Sequence, residues 1–366
     1  MPTEATAAVI HQADGEFQLQ KVVLDDPRPD EILVRIEASG VCHTDAMAKG
    51  LLKLPAVLGH EGMGVIEKLG SAVDGLSVGD RVIISFPWCG ACPKCDSGRR
   101  YWCNNAYPML FGGTRTDGSK TISLDGQAIT SAFFQQSSFA THALTLARDV
   151  VRVGSDDGAS DVLAALPCGV VTGAGAVFNE LKAGPRDSFA VFGGGAVGLS
   201  AAMAAKIAGV FPLIVVDVVE QRLELAKELG ATHVFNAAKD DVVSALQDLV
   251  PGGLDYVFET TGNVTSFHNA LAAVTAGGTV AAVTVPNYGS TFEFNGEMMI
   301  GKGIHLTGIR MGSARASDFI PKLVELNQRG CFPYEALVSH YDFADINKAF
   351  ADSSSGVAIK PVLKMA

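Results

Sequence analysis

Four cysteines crowd into one short stretch, Cys89-Gly-Ala-Cys92-Pro-Lys-Cys95 followed by Cys103, a C-x2-C-x2-C-x7-C array. Four thiolates on one loop close a tetrahedral shell around Zn2+ and leave no position for substrate, so the array predicts a structural metal site. A redox or disulfide loop is the competing reading, but cysteines spaced this tightly would pair only with strain. Three further residues suit a second, open site: Cys42 in Gly40-Val-Cys-His-Thr-Asp45, His60 in Leu58-Gly-His-Glu-Gly62, and Cys168 in Leu166-Pro-Cys-Gly169. Two thiolates and one imidazole neutralise Zn2+ and leave a fourth position for water or a substrate oxygen. Taken singly, each of the three reads equally well as core.

A different chemistry is written at Phe189-Ala-Val-Phe-Gly193-Gly-Gly195-Ala-Val-Gly198, an apolar run entering G-x-G-x-x-G and then a helical segment. Gly193, Gly195 and Gly198 would permit a tight turn, approach of a pyrophosphate to the backbone, and close helix–strand packing. The next apolar run ends in Val215-Val-Asp217, at the distance expected for a ribose-binding carboxylate. A carboxylate there accepts from both ribose hydroxyls and repels a 2′-phosphate, which favours NAD over NADP. Arg222, five residues on, is the counterweight to that repulsion.

Gly40–Asp45, Gly59-His60-Glu61, the Cys89–Cys103 array and Cys168 occur in an order and spacing that resembles the zinc-containing medium-chain alcohol dehydrogenase family. Phe133-Phe-Gln-Gln-Ser-Ser-Phe-Ala140 and Pro167-Cys-Gly-Val-Val-Thr-Gly-Ala-Gly175 narrow the resemblance to bacterial aryl-alcohol dehydrogenases and related allylic terpene-alcohol dehydrogenases. The resemblance implies that Cys42, His60 and Cys168 ligate a catalytic zinc, with Glu61 behind it as a transient ligand. It implies that Cys89, Cys92, Cys95 and Cys103 hold a structural zinc, making two zinc ions per subunit. Asp45 would orient His60. Thr172 and Val197 would lie near the nicotinamide, with Val283 and Val285 beside it. Arg222 would help hold the NAD ribose, and His43 and Lys360 would contact the pyrophosphate; the competing reading of Arg222 and Lys360, both expected at the surface, is a solvated charge.

The implied reaction is oxidation of an alcohol to an aldehyde by hydride transfer to NAD, with Thr44 taking the alcohol proton. Many family members complete that relay with a histidine three residues beyond the hydroxyl; here the position holds Met47, so the outer relay must differ. Phe86, Trp88 and Met109 are candidate pocket residues, and an apolar pocket favours benzylic or allylic primary alcohols. A short-chain alcohol or polyol dehydrogenase on the same scaffold is the nearest alternative. A zinc-free quinone or enoyl reductase is a further one, opposed by the Cys42/His60/Cys168 set.

The elements that must position these residues fall into two classes. Between Phe189 and Ile309, strand candidates Phe189–Phe192, Leu213–Asp217, His233–Phe235, Tyr256–Glu259, Thr279–Val285 and His305–Ile309 alternate with helical segments, which predicts a doubly wound parallel sheet of Rossmann type. Residues before about Gly169 have short alternating runs such as Ile32–Ile36, Met63–Ile66 and Arg81–Ile84, punctuated by glycine and proline, which predicts a twisted, mostly antiparallel β domain. The tail after Ile309 has helices at Ser317–Arg329 and Phe343–Asp352 and a last strand at Ile359–Met365. The expected fold is therefore α/β: a discontinuous mostly-β catalytic domain of GroES-like type (1–169 and 310–366) with an inserted Rossmann domain (170–309).

At 366 residues, 48% of them hydrophobic, the chain has material for two cores. A formal charge of −11 argues against nucleic acid or an anionic membrane as partner. No secretory pattern opens the chain, and the most apolar stretch, Phe189–Val216, is broken by Gly193–Gly195, Lys206 and Pro212, as a strand–helix–strand would be and a membrane span would not. The expectation is a cytoplasmic homo-oligomer, dimer or tetramer, acting on a small-molecule alcohol or aldehyde, with the edge strand near His305 as its assembly edge.

Overall fold

The computed structural model describes residues 1–284, 289–291 and 293–365. The chain divides into two units: Met1–Cys168 with Arg315–Arg329 and Tyr334–Ala366, and Gly169–Ala314 with Gly330–Pro333.

The first unit is built on two sheets. One has the order Ala56–Val57, Thr3–Ile10, Phe17–Leu24, Ile122–Leu124, Gln127–Ala128, and its described pairings are antiparallel. The other runs Val150–Val153, Arg81–Ile84, Gly62–Leu69, Glu31–Gly40, Lys360–Lys364, Val338–Asp342, with His142–Leu146 also pairing on Glu31–Gly40. Alternation in Glu31–Gly40 gives way to near-complete burial, because strands flank it and apolar clusters cover it. The C-terminal strand lies antiparallel to it in the register Val362↔Gly40. That pairing returns the end of the chain to the Gly40–Cys42 segment and explains why this unit is discontinuous in sequence.

The second unit is a six-stranded sheet in the order His233–Asn236, Leu213–Asp217, Phe189–Phe192, Leu254–Glu259, Val274–Ala282, His305–Gly308, with parallel pairings throughout. Strand order reverses beside Phe189–Phe192, which makes its carboxyl end the topological switch point. Helix Ala196–Ala208 follows that strand and ends at Gly209 in the left-handed conformation. Phe189–Val216 is thus strand, turn, helix and strand, as the sequence predicts.

Two departures from expectation have physical causes. The boundary expected after residue 309 falls after Ala314. Residues 310–314 pack onto the helix that begins at Val171: Asn179 Nδ2 donates to the Gly312 carbonyl at 3.0 Å, and a Cβ on Gly175 would meet that oxygen at 2.3 Å. The second is a helical run, Ser160–Leu181, that periodicity did not reveal. It is long and apolar enough to cross a membrane, yet 78% of its most apolar window is buried within the protein. Two segments of this run, Leu166–Val170 and Ala176–Leu181, are π-helical. Pro167 has no N–H to give the ladder, and Cys168 sits in the widened turn beside it.

Candidate metal and cofactor sites

Cys42 precedes the short helix His43–Ala48, and Asp45 on its first turn is completely buried. Asp45 Oδ2 accepts from the Cys42 N–H at 3.0 Å, while Oδ1 accepts from the Gly59 N–H at 3.2 Å and lies 2.9 Å from His60 Nδ1. One carboxylate therefore ties together the two segments that carry Cys42 and His60. It also fixes the tautomer, because a ring nitrogen facing a carboxylate carries its proton and leaves Nε2 as a lone-pair donor. That Nε2 is buried and makes no well-formed hydrogen bond among the described residues.

The sulfurs of Cys42 and Cys168 are 3.9 Å apart, and one donor atom each from Cys42, His60, Glu61 and Cys168 lies within 4.8 Å of all the others. With Zn–S bonds of about 2.3 Å, a tetrahedral edge spans about 3.8 Å. An orphaned imidazole nitrogen converging on two thiols is what a zinc ion requires, and the residues fit it. The hydrogen bond from Cys168 holds the Cys42 thiol well below its ordinary range, and the same contact raises the Cys168 thiol.

Glu61 is completely buried and is met by Lys360, whose Nζ lies 2.7 Å from Oε1 and 2.9 Å from Oε2. The expectation of a surface lysine is corrected here: Lys360 is 2% exposed, and its third contact is the Val41 carbonyl at 3.3 Å. Burial pushes the Glu61 carboxyl up to about 7, with the Lys360 ammonium pulling against it; Lys360 itself is held above its ordinary value by the charges around it, which outweigh its burial. A lysine near the C-terminus carries no sequence mark of this role. Only the strand pairing of Lys360–Lys364 with Glu31–Gly40 places it there.

An aromatic shell adjoins His60. The Phe134 ring stacks on the imidazole at 4.4 Å between centroids, Phe133 meets it edge-on at 5.7 Å, and Phe86 packs edge-on against Phe134 at 6.2 Å. Phe86 thus stands in this shell. Met109 is buried, and its carbonyl accepts from Gln135 Nε2 at 3.2 Å. Trp88 is engaged elsewhere: Arg100 lies 3.7 Å over its ring, and its carbonyl accepts from Arg148 Nε at 3.0 Å. Thr44 and Met47 are half-buried on the His43–Ala48 helix, and His43 is exposed at its start.

Cys89, Cys92, Cys95 and Cys103 form the other converging set, with Cys89–Cys95 and Cys92–Cys95 sulfur separations of 3.9 and 3.5 Å. Backbone N–H groups point at the sulfurs: Cys89 N donates to Cys103 at 3.3 Å and Asn104 N to Cys92 at 3.4 Å. Although burial acts against it, the Ala91 N–H and neighbouring side chains bring the Cys89 thiol down to about 6. Backbone N–H groups lower the Cys92 thiol as well, while burial holds Cys95 and Cys103 above the ordinary range. Four sulfurs converging in a closed shell with N–H groups aimed at them fit a structural zinc.

In the second unit, the first strand ends at Phe192 and turns through Gly193, whose φ of +105° favours glycine. A Cβ on Gly198 would meet the Gly193 carbonyl oxygen at 1.8 Å, so that glycine is required for helix–strand packing. A Cβ on Gly195 would meet no described atom within 4 Å. Nothing in the described protein demands glycine there, and the space it leaves suits a pyrophosphate approaching the N-terminus of helix Ala196–Ala208. Asp217 ends the next strand; it accepts from Gly194 N at 2.5 Å and Val219 N at 2.8 Å, and Arg222 Nη1 lies 3.9 Å from it.

Gly173 closes on Val197, where an added Cβ would meet the Val197 carbonyl oxygen at 2.0 Å. This contact sets the helix bearing buried Thr172 against the start of Ala196–Ala208. Val283 follows the fifth strand, its N–H donating to the Glu259 carbonyl at 3.3 Å, and Val285 lies outside the described residues. Sequence reading missed Glu259 and Thr260. Thr260 Oγ1 donates to the Phe192 carbonyl at 2.8 Å and lies 3.3 Å from the Gly193 carbonyl, while buried Glu259 binds the N–H groups of Thr261 and Gly262 at 2.8 and 3.1 Å. A polar Glu-Thr-Thr-Gly ending an apolar strand beside the switch point was the available sign.

Two family models match the chain: one described as zinc-binding dehydrogenase over residues 196–328, and one described as alcohol dehydrogenase GroES-like domain over residues 28–154. A geraniol dehydrogenase from Castellaniella defragrans is 39% identical over 98% of this chain and 97% of its own length. The crystal structure of benzyl alcohol dehydrogenase from Acinetobacter calcoaceticus superposes with a TM-score of 0.96 at 40% identity, covering both chains fully. An alcohol dehydrogenase zinc-binding domain protein from Burkholderia ambifaria gives a TM-score of 0.97, also at 40% identity and full coverage.

Proposed function

The chain belongs to the zinc-binding, GroES-like alcohol dehydrogenase family, and from that membership we propose that it oxidises primary aromatic or allylic alcohols to aldehydes, with NAD as acceptor. The observation that carries the reading is the orphaned His60 Nε2, buried and converging with the Cys42 and Cys168 sulfurs. The chemistry supplied by the bound groups is Lewis acidity from zinc and hydride acceptance by the nicotinamide.

The chain's own residues do the rest. Cys42, His60 and Cys168 hold the ion, and Cys89, Cys92, Cys95 and Cys103 hold the second one. Asp45 keeps the proton on His60 Nδ1. Thr44 Oγ receives the alcohol proton, and Met47, in the next relay position, has no group to pass it on. Glu61, clasped by Lys360, would stand behind the ion as a further available ligand. Asp217 takes the adenosine ribose and Arg222 flanks it, while Gly193, Gly195 and Gly198 shape the pyrophosphate turn. Thr172, Val197 and Val283 would line the nicotinamide side of the cofactor site.

The substrate class draws on the names of the two relatives, geraniol dehydrogenase and benzyl alcohol dehydrogenase, and on the apolar shell of Phe86, Phe133 and Phe134 next to His60. We read the protein as cytoplasmic and as a homo-oligomer paired through the edge strand His305–Gly308. The test is NADH formation by the purified protein with benzyl alcohol, geraniol, ethanol and sorbitol, with NAD and NADP in parallel. Turnover of the first two with NAD is expected. Preference for ethanol or sorbitol would remove the substrate class, and chelator-insensitive activity would remove the zinc mechanism.

A further inference from the structure

Ala132, Phe134, Gln135 and Ser137 have φ values of +56°, +52°, +56° and +54°, a region that residues with side chains seldom adopt. Four such residues within six persist only where the surroundings over-determine them. Here Gln135 Nε2 donates to the carbonyls of Met109 and Thr114 at 3.2 and 2.9 Å, and Ser137 Oγ donates to the Val57 carbonyl at 2.6 Å. The next two residues run against the His60 segment, with Ser138 N donating to the Gly59 carbonyl and Phe139 N to the Leu58 carbonyl, each at 3.0 Å.

The result of this contorted path is the placement of Gln136, which is 2% exposed. Its Nε2 donates to the His60 carbonyl at 2.9 Å, and its Oε1 accepts from the Gly62 N–H at 3.0 Å. The two bonds bracket Glu61 and fix the amide orientation, since only one flip satisfies both. The same turn lays Phe134 flat on the imidazole, an interplanar angle of 29°. Asp45 pins one ring nitrogen of His60; Gln136 pins its backbone and Phe134 its plane.

We propose that Gln136 is a positioning residue of the zinc centre, clasping the His60–Gly62 backbone while Phe134 holds the ring. This rests on the reading of Cys42, His60 and Cys168 as zinc ligands. Groups that orient ligands from behind change metal affinity by roughly 10–100-fold when removed.

The experiment is release of zinc from the purified holoenzyme to excess 4-(2-pyridylazo)resorcinol, read by absorbance, with the four-cysteine ion as internal reference. Gln136→Met keeps the length and apolar volume of the side chain but neither hydrogen bond. One zinc equivalent per chain is expected to leave about tenfold faster than in the parent, with release of the other equivalent unchanged even though the unfolding midpoint falls as the His60 carbonyl and the Gly62 N–H lose their partners. Phe134→Leu, which leaves the amide clasp in place, is expected to accelerate the same equivalent, and it serves if the first variant does not fold. Unchanged release of both equivalents overturns the clasp, as does a parallel acceleration of both that tracks lost stability. A parent enzyme holding only one equivalent would instead bring down the ligand assignment itself.

Discussion

Lys360 Nζ lies 2.7 and 2.9 Å from the two carboxylate oxygens of Glu61, and both side chains are shut away from solvent. A buried carboxylate with its cation removed is left uncompensated, which costs about 3–5 kcal/mol. Lys360→Met should therefore lower the urea unfolding free energy by that amount, and Lys360→Met with Glu61→Gln should recover part of it. A loss below about 1 kcal/mol in the single variant would mean that the pair is not the buried ion pair described.

Gly195 and Gly198 are glycine for different reasons, and alanine separates them. At Gly198 the new Cβ meets the Gly193 carbonyl oxygen at 1.8 Å, so Gly198→Ala should destabilise the second unit and shift its thermal midpoint. At Gly195 the Cβ meets no described atom within 4 Å, so the fold should stand while NAD affinity falls roughly tenfold, about 1.4 kcal/mol. Fluorescence titration with NADH beside a melting curve distinguishes the two. Unaltered binding in Gly195→Ala would place the pyrophosphate elsewhere.

Thr44 stands two residues beyond Cys42 on the helix His43–Ala48. If its hydroxyl takes the alcohol proton, Thr44→Val should reduce kcat by roughly 10²–10⁴ while zinc content stays at two per chain, and Thr44→Ser should keep most activity. Steady-state kinetics with benzyl alcohol gives the answer, and full turnover in the valine variant would exclude the relay.

Asp149 is 3% exposed, and its carboxylate oxygens lack a well-formed hydrogen bond among the described residues. Burial pushes its carboxyl well above the ordinary range, against the pull of Arg148, the Trp88 backbone and Arg100. The folded state then binds this proton more tightly than the unfolded chain, so stability declines as pH rises from the ordinary carboxylate value, about 3.9, through the raised folded value. Asp149→Asn has no such proton to lose. The stability lost by the parent between pH 5 and pH 8 should shrink in the variant, measured by calorimetry at both pH values; an identical loss would show that Asp149 contributes nothing to the slope.

Residue identity and local spacing were enough to find the four-cysteine array and the Gly193–Gly198 turn, because metal ligation and phosphate binding demand particular atoms at particular intervals; Cys42, His60 and Cys168, far apart in sequence, were joined only by the family resemblance. The parallel sheet was legible for a similar reason: helix Ala196–Ala208 and strands Phe189–Phe192 and Leu213–Asp217 carry their periods in consecutive residues. Three features were decided only in three dimensions. Lys360 reached Glu61 through a strand pairing across some three hundred residues, and burial then changed a surface charge into an ion pair. The helix Ser160–Leu181, apolar nearly all round, offered no amphipathic period to read, and its π turn at Cys168 follows from Pro167 and packing together. The left-handed conformations of Ala132, Phe134, Gln135 and Ser137 oppose the local preference of those residues, so no propensity foretells them. Local sequence sets which atoms are available and which backbone period is cheapest. Where contacts distant in sequence outweigh that local preference, only the folded chain determines which atoms meet.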